Sequence, residues 1–291
     1  MINPESIDIV LDMETGDPDD FLTLLLLLGH PRANLKAVTV TPGTPDQIGL
    51  AKWACQQLGK PDIPVGSFDP DRKANHVSEW HYATYGRIPS AMPDGRGGEI
   101  LKASCDYDTV LVTGAPLKNV GAAMNLGFIV GKWVAQGGFA GEGVVPRERQ
   151  LEKFKGKTTC PTYNLNGDPQ SALRALSYAE IKHRWFVSKN VCHGVFCDRA
   201  MSDRIGEKRL APHLGLIHKG TEAYLERHPG GKKFHDPLAA CCALSPEIGE
   251  WAEVELYREK GEWGSRLRPG SWTCIIIGYD HQKFMETLLE G

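Results

Sequence analysis

Short apolar runs alternate with helix-length segments over residues 7–66, and that rhythm leaves few folds open to the chain. Residues 7–11 form an apolar run ending in acids, which reads as a strand buried in a parallel sheet. Asp17-Pro18-Asp19-Asp20 then supplies a cap, a first-turn proline and acids at the positive end of a helix dipole. The leucines that follow carry this helix to Gly29, with Pro31 beyond it as a stop. A second strand is expected over 35–41, a helix over 46–58 and a third strand over 63–66. Strand–helix–strand units at this spacing predict an α/β fold: a single domain whose mostly parallel, Rossmann-like central sheet is flanked by helices.

Between residues 69 and 98 the pattern gives way to Pro, Gly, His, Trp and Tyr, which reads as a loop-rich insertion within one domain spanning 1–291. Strands resume at 109–113 and 128–135 with a helix at 117–126 between them, and a glycine-rich stretch at 137–143 opens a charged loop that runs to Lys157. Helices are expected at 168–178, 210–226 and 235–244, then a strand at 273–277 and a helix at 282–289. The formal net charge of -3 argues against a nucleic-acid partner, because such proteins carry a basic excess. The most apolar run, 21–28, is too short to cross a bilayer, so no membrane partner is expected. Eight cysteines contain no C-x-x-C pair, and adjacent Cys241 and Cys242 suit buried thiols better than a disulfide framework. With an acidic start that lacks a secretory pattern, these thiols predict a reducing, cytoplasmic setting.

Asp12, Glu14, Asp17, Asp19 and Asp20 crowd five carboxylates into residues 12–20, where the first strand meets its helix. Ligand sites of open α/β sheets lie at such strand ends. A helix cap accounts for Asp17 to Asp20 but not for Asp12 and Glu14. Crowded carboxylates repel one another unless a cation or a shared proton offsets them. Oxygen donors with no neighbouring Cys or His point to Ca²⁺ or Mg²⁺ rather than zinc.

This segment resembles the N-terminal D-x-D-x-G-x-D-D signature of the inosine–uridine nucleoside hydrolase family, with Glu14 for the second aspartate and one residue inserted before the final pair. His235-Asp236-Pro237-Leu238-Ala239 is similar to the family's H-D-P-x-A, and Thr113-Gly114-Ala115-Pro116-Leu117-Lys118-Asn119 to its T-G-P-L-T-N, lengthened by Ala115. Asn164 and Asp168-Pro169 resemble the sugar-gripping E-F-N-x-x-x-D-P stretch, with Thr162 where the glutamate stands; Pro42-Gly43-Thr44 occupies the place of the family's A-G-N. The resemblance implies a calcium-dependent hydrolase that cuts the N-glycosidic bond of a small nucleoside-like substrate, in a homo-oligomer. It implies one Ca²⁺ held by Glu14, Asp20, Asp236 and the Thr113 carbonyl, with Asp19 deprotonating the attacking water. His235 becomes the acid or the contact to the departing base, and Asn164, Asn166, Asp12 and Thr44 the sugar contacts.

Three questions stay open at this level. Asp17 either joins the metal site or only caps its helix. The altered sugar-side residues admit a nucleotide or modified nucleoside as substrate, and a calcium-dependent binding protein without turnover is a different class of answer. A haloacid-dehalogenase-type phosphatase also begins with strand–Asp-x-Asp, but the lysine signature that should follow is not evident here. His76, Trp80, His81, Tyr82 and Arg87 of the 69–98 stretch are candidates to meet the leaving group.

Overall fold

Alternate residues of strand β1 (Ile7–Met13) feed two different cores, which is why its sequence reads as a continuous apolar run. Ile9, Leu11 and Met13 pack into one cluster with the leucines of the helix Pro18–Gly29, and Val10 packs into the other with Leu101, Leu117 and Val120. The computed structural model from which this follows describes residues 6–72, 74 and 76–291.

On one side of β1 lie β2 (Ala33–Val40), β3 (Val65–Ser67) and β4 (Gly95–Arg96); on the other lie β5 (Val110–Thr113) and β6 (Val130–Gln136). The chain then adds β7 (Thr159–Cys160), β8 (Ile181–Val187), β9 (Phe196–Cys197), β10 (Lys232–Lys233), β11 (Gly249–Glu259), β12 (Glu262–Leu267) and β13 (Thr273–Tyr279). Eleven of these strands form one sheet in the order β4-β3-β2-β1-β5-β6-β8-β13-β11-β12-β7, while β9 and β10 pair separately. Every neighbouring pair from β4 to β13 is parallel, and β11, β12 and β7 extend the sheet antiparallel. The molecule is thus one α/β domain with a mostly parallel sheet and helices on both faces, as expected.

Two regions differ from the sequence reading. The 69–98 stretch contains a two-turn helix, Glu79–Tyr85, because Trp80, His81 and Tyr85 find an aromatic partner in Phe21 and in one another. Strands β8, β11 and β12 stand where no strand was expected. In β8 an edge-like sequence, with Lys182, His183 and Arg184, sits mid-sheet because the Arg184 guanidinium caps the carbonyl of Ala175 at 2.9 Å. Seven of the eight cysteines are buried and none is cross-linked. Among the described residues no helix is long and apolar enough to cross a membrane.

Candidate active site

A cavity of about 390 Å³ opens at the carboxyl ends of β1, β5 and β6, bounded by Glu14, Asp17, Asp19, Asp20, Gly114, Gln136 and Asp236 and by Thr162, Asn164, Lys189, His193 and His235. This is the edge at which parallel sheets bind ligands. The turn after β1 carries Glu14 and Asp17, and the first turn of the helix Pro18–Gly29 carries Asp19 and Asp20. Asp236 sits in the first turn of the helix His235–Leu244, so two positive helix ends face the same space.

Asp19 is 1% exposed and its carboxylate is fully oriented. Oδ1 accepts from the Lys232 ammonium at 3.0 Å, and Oδ2 accepts from the main-chain N–H groups of His235 and Asp236 at 3.1 and 3.4 Å. Lys232, itself 3% exposed, also reaches Asp17 Oδ1 at 2.9 Å, and these two carboxylates raise the lysine above its ordinary range against the opposing effect of burial. Asp17 therefore belongs to the lysine. Glu14 is held otherwise: its Oε2 accepts from the N–H groups of Gly16 and Thr15 at 2.7 and 3.0 Å.

Among the described residues Asp20 and Asp236 have no such cation. One oxygen from each of Asp19, Asp20 and Asp236 lies within 4.8 Å of the others. Asp236 Oδ1 is buried without a hydrogen-bond partner among the described residues. Burial first, and then neighbouring carboxylates (Asp236 and Glu14 for Asp20; Asp19 for Asp236), hold both residues well above the usual carboxylate range. Gly114 leaves the space beside them clear, since a methyl group there would lie 2.4 Å from Asp236 Oδ1 and 2.7 Å from Asp20 Oδ1. An orphaned carboxylate oxygen, uncompensated charge and a glycine-lined hollow fit a hard, oxygen-seeking cation such as Ca²⁺.

His235 stacks on His193, with ring centroids 4.7 Å apart and an interplanar angle of 26°. Burial, with the charge of Lys232, lowers His235 to about 3, so the ring is neutral at physiological pH. Its Nε2 is buried without a partner among the described residues, and its Nδ1 lies 3.9 Å from Asp19 Oδ2.

The remaining sequence candidates divide. Asn164 lines the cavity and donates to the Gln136 side chain at 2.8 Å, whereas Asn166 turns away to the β11–β12 hairpin, donating to the Gly261 carbonyl at 2.8 Å and accepting from Trp263 Nε1 at 2.9 Å. Thr44 caps the helix Pro45–Gln57 through a reciprocal bond pair with Gln47 and does not border the cavity. Asp12 is wholly buried behind Gly114, whose N–H it receives on its main-chain carbonyl at 2.8 Å. Its Oδ1 binds Thr39 at 2.6 Å and Asn119 at 2.9 Å, and burial raises its acid to about 7 despite them. Thr113 ends β5, one residue from the cavity, with its hydroxyl accepting from Trp133 Nε1 at 2.9 Å. None of His76, Trp80, His81, Tyr82 and Arg87 borders the cavity, although the His76 carbonyl accepts from Thr15 of the acidic turn.

Sequence reasoning missed Lys232, His193, Lys189 and Gln136. Lys232 stands three residues before the H-D-P segment, but Lys232-Lys233 reads as a solvated pair, and only the arrival of Asp17 and Asp19 from the other end of the chain buries it.

Comparison with known proteins agrees with this architecture. The family model described as inosine-uridine preferring nucleoside hydrolase matches residues 9–286. A protein of Aquifex aeolicus (strain VF5), described only as uncharacterized, is 26% identical over 280 residues, covering 92% of this chain and 94% of that one. Among solved structures, a plant nucleoside hydrolase superposes with a TM-score of 0.72 at 19% identity, covering 98% of this chain and 99% of its own. The purine-preferring ribonucleoside hydrolase from Gardnerella vaginalis gives 0.71 at 18% identity, covering 97% of each chain.

Proposed function

Because the chain belongs to the inosine–uridine preferring nucleoside hydrolase family, we propose that it hydrolyses the N-glycosidic bond of a nucleoside-like substrate with the help of one bound Ca²⁺. The observation that carries this reading is the convergence of Asp19, Asp20 and Asp236 around the hollow kept open by Gly114. Asp20, Asp236 and Glu14 would hold the ion, together with the carbonyl of Thr113. When bound, the cation supplies a water of lowered pKa and an anchor for sugar hydroxyls.

The chain's own residues account for the rest. A carboxylate offers about four lone-pair sites. Lys232 and two amides occupy three of those on Asp19, which leaves one on Oδ1 to take the proton of the attacking water. The water oxygen bonds to the anomeric carbon as the C–N bond breaks through an oxocarbenium-like transition state, and the bonding pair leaves with the base. His235, neutral in its buried place, supplies a hydrogen bond to that base rather than a full proton. Asn164, held by Gln136, faces the sugar.

The test is incubation with Ca²⁺ and a panel of nucleosides, following free base by chromatography, with a chelator control. Base release that the chelator abolishes is expected. Calcium binding with no base released from any substrate would instead support a binding protein that keeps the metal and lacks turnover.

A further inference from the structure

Thr162, Lys189 and His193, which line one wall of the cavity, have a chemistry that a neutral nucleoside does not use. Lys189 borders the cavity, and its ammonium donates to the carbonyl of Pro161 at 2.8 Å. The next residue, Thr162, is 2% exposed and also borders the cavity, yet its buried hydroxyl has no hydrogen-bond partner among the described residues. His193 completes the wall: Lys153 lies 2.7 Å from its Nδ1. An ammonium group can only donate, so Nδ1 accepts and the ring's hydrogen sits on Nε2.

Lys153, Lys189 and Lys233 all stand near His193, where their charges add to burial and to His235 in lowering the imidazole. Among the described residues, none of the three has a carboxylate within ion-pair distance, in contrast to Lys232 with its two aspartates. Cys192, His193 and His235 do bring three soft donor atoms within 4.8 Å of one another, but the surrounding ammonium groups oppose a cation there. A buried hydroxyl, an imidazole N–H and the Lys189 ammonium lining one cavity, with Lys153 on the same histidine, complement an anion.

We propose that this wall receives an anionic oxygen group of the substrate, so that the N-glycoside cut here carries either a phosphate on its sugar or an ionised acid on its leaving group. The proposal rests on the N-glycosidase reading above and narrows it to charged substrates.

Two matched pairs test it on the full-length, calcium-loaded protein: inosine against inosine 5′-monophosphate, and uridine against orotidine, whose base bears a carboxylate. In one pair the charged member should have a kcat/KM about 10²-fold higher, the discrimination that a charge-assisted hydrogen-bond set provides. Preference for the monophosphate places the anion on the sugar, and preference for orotidine places it on the leaving group. Lys189→Gln and, separately, Lys153→Gln should each cut that charged-to-neutral ratio about tenfold, chiefly through KM. Turnover of inosine or uridine with no charged preference in either pair overturns the inference and leaves the N-glycosidase reading intact. If nothing is turned over, calorimetry decides: ribose 5-phosphate binding more tightly than ribose, or orotate than uracil, with the gain lost in Lys189→Gln, supports the anion wall while the hydrolase reading falls. Equal binding of the charged and neutral ligands in both comparisons refutes it.

Discussion

Gly114→Ala isolates the cation site from the fold. Position 114 has no left-handed backbone requirement, so the methyl acts through space alone, and the atoms it meets are Asp236 Oδ1 at 2.4 Å, Asp20 Oδ1 at 2.7 Å and Asp236 Cγ at 3.0 Å. Ordinary non-bonded separations are about 3.5–4.0 Å, so the two carboxylates must retreat by roughly 1 Å. Both belong to the first turns of buried helices, which cannot follow, so their side chains must rotate away from the shared hollow. Displacing two ligands by more than about 0.5 Å spoils a preorganised site. We expect calcium affinity to fall by about 10–100-fold, the loss that follows disturbance of the groups orienting metal ligands. Calorimetric titration of chelator-treated wild type and variant measures it, with circular dichroism to confirm that the variant is folded. Equal affinities in a folded variant would show that the ion, if bound, sits elsewhere and that the convergence of Asp20 and Asp236 has no part in holding it.

Other perturbations read other parts of the molecule. Lys232→Met leaves Asp19 buried without its cation; breaking such a pair costs about 3–5 kcal/mol, which at about 2 °C per kcal/mol lowers Tm by roughly 6–10 °C, and a drop below about 2 °C in a thermal melt would refute the coupling. Asp19→Asn should keep calcium affinity while slowing base release by about 10²–10⁴-fold, whereas Asp20→Asn should weaken calcium first and regain activity as the ion is added. Equal, calcium-insensitive rates in wild type and both variants would remove the mechanism. His213 is 2% exposed, and burial, with His30, lowers it to about 4. Its folded form stays neutral while the unfolded chain takes up a proton, so the stability it contributes is full above the ordinary histidine value and is lost as pH falls towards 4. Between pH 6.5 and 5 that is about 2 kcal/mol, so the fall in Tm from pH 7 to 5 should be about 4 °C smaller in His213→Leu than in wild type.

What the sequence made legible follows from how local each signal is. Strands β1, β2, β3, β5 and β6 were readable because strands buried on both faces are uniformly apolar, as in β1, and their helices carry their own stops. The acidic turn was visible because its carboxylates are neighbours along the chain. The alternation in β11, with Val254 and Leu256 inward and Glu253 and Glu255 outward, was also present but went unread beside so many charges. The lysine, histidine and threonine contributions to the cavity were not legible, since each owes its setting to a partner far along the chain: Lys232 to Asp17 and Asp19, His193 to Lys153 and His235. Asn166 misled for the converse reason: an asparagine in the right segment is claimed by Gly261 and Trp263 from a hairpin no local pattern linked to it.

The unlinked, buried thiols make the protein its own clock of opening. Burial pushes Cys55 up to about 11 and Cys192 up to about 12, so neither reacts with a labelling reagent while enclosed. Cys55 is on the buried face of the helix Pro45–Gln57, whereas Cys192 rests behind the cavity wall, 3.5 Å from Gln136 Nε2. Labelling at Cys55 therefore counts deep excursions, and labelling at Cys192 counts movements of the wall that carries Lys189 and His193. A molecule that fills the cavity would slow the second clock more than the first. The ratio of the two rates thus gives a readout of occupancy that needs neither turnover nor a chromophore on the substrate.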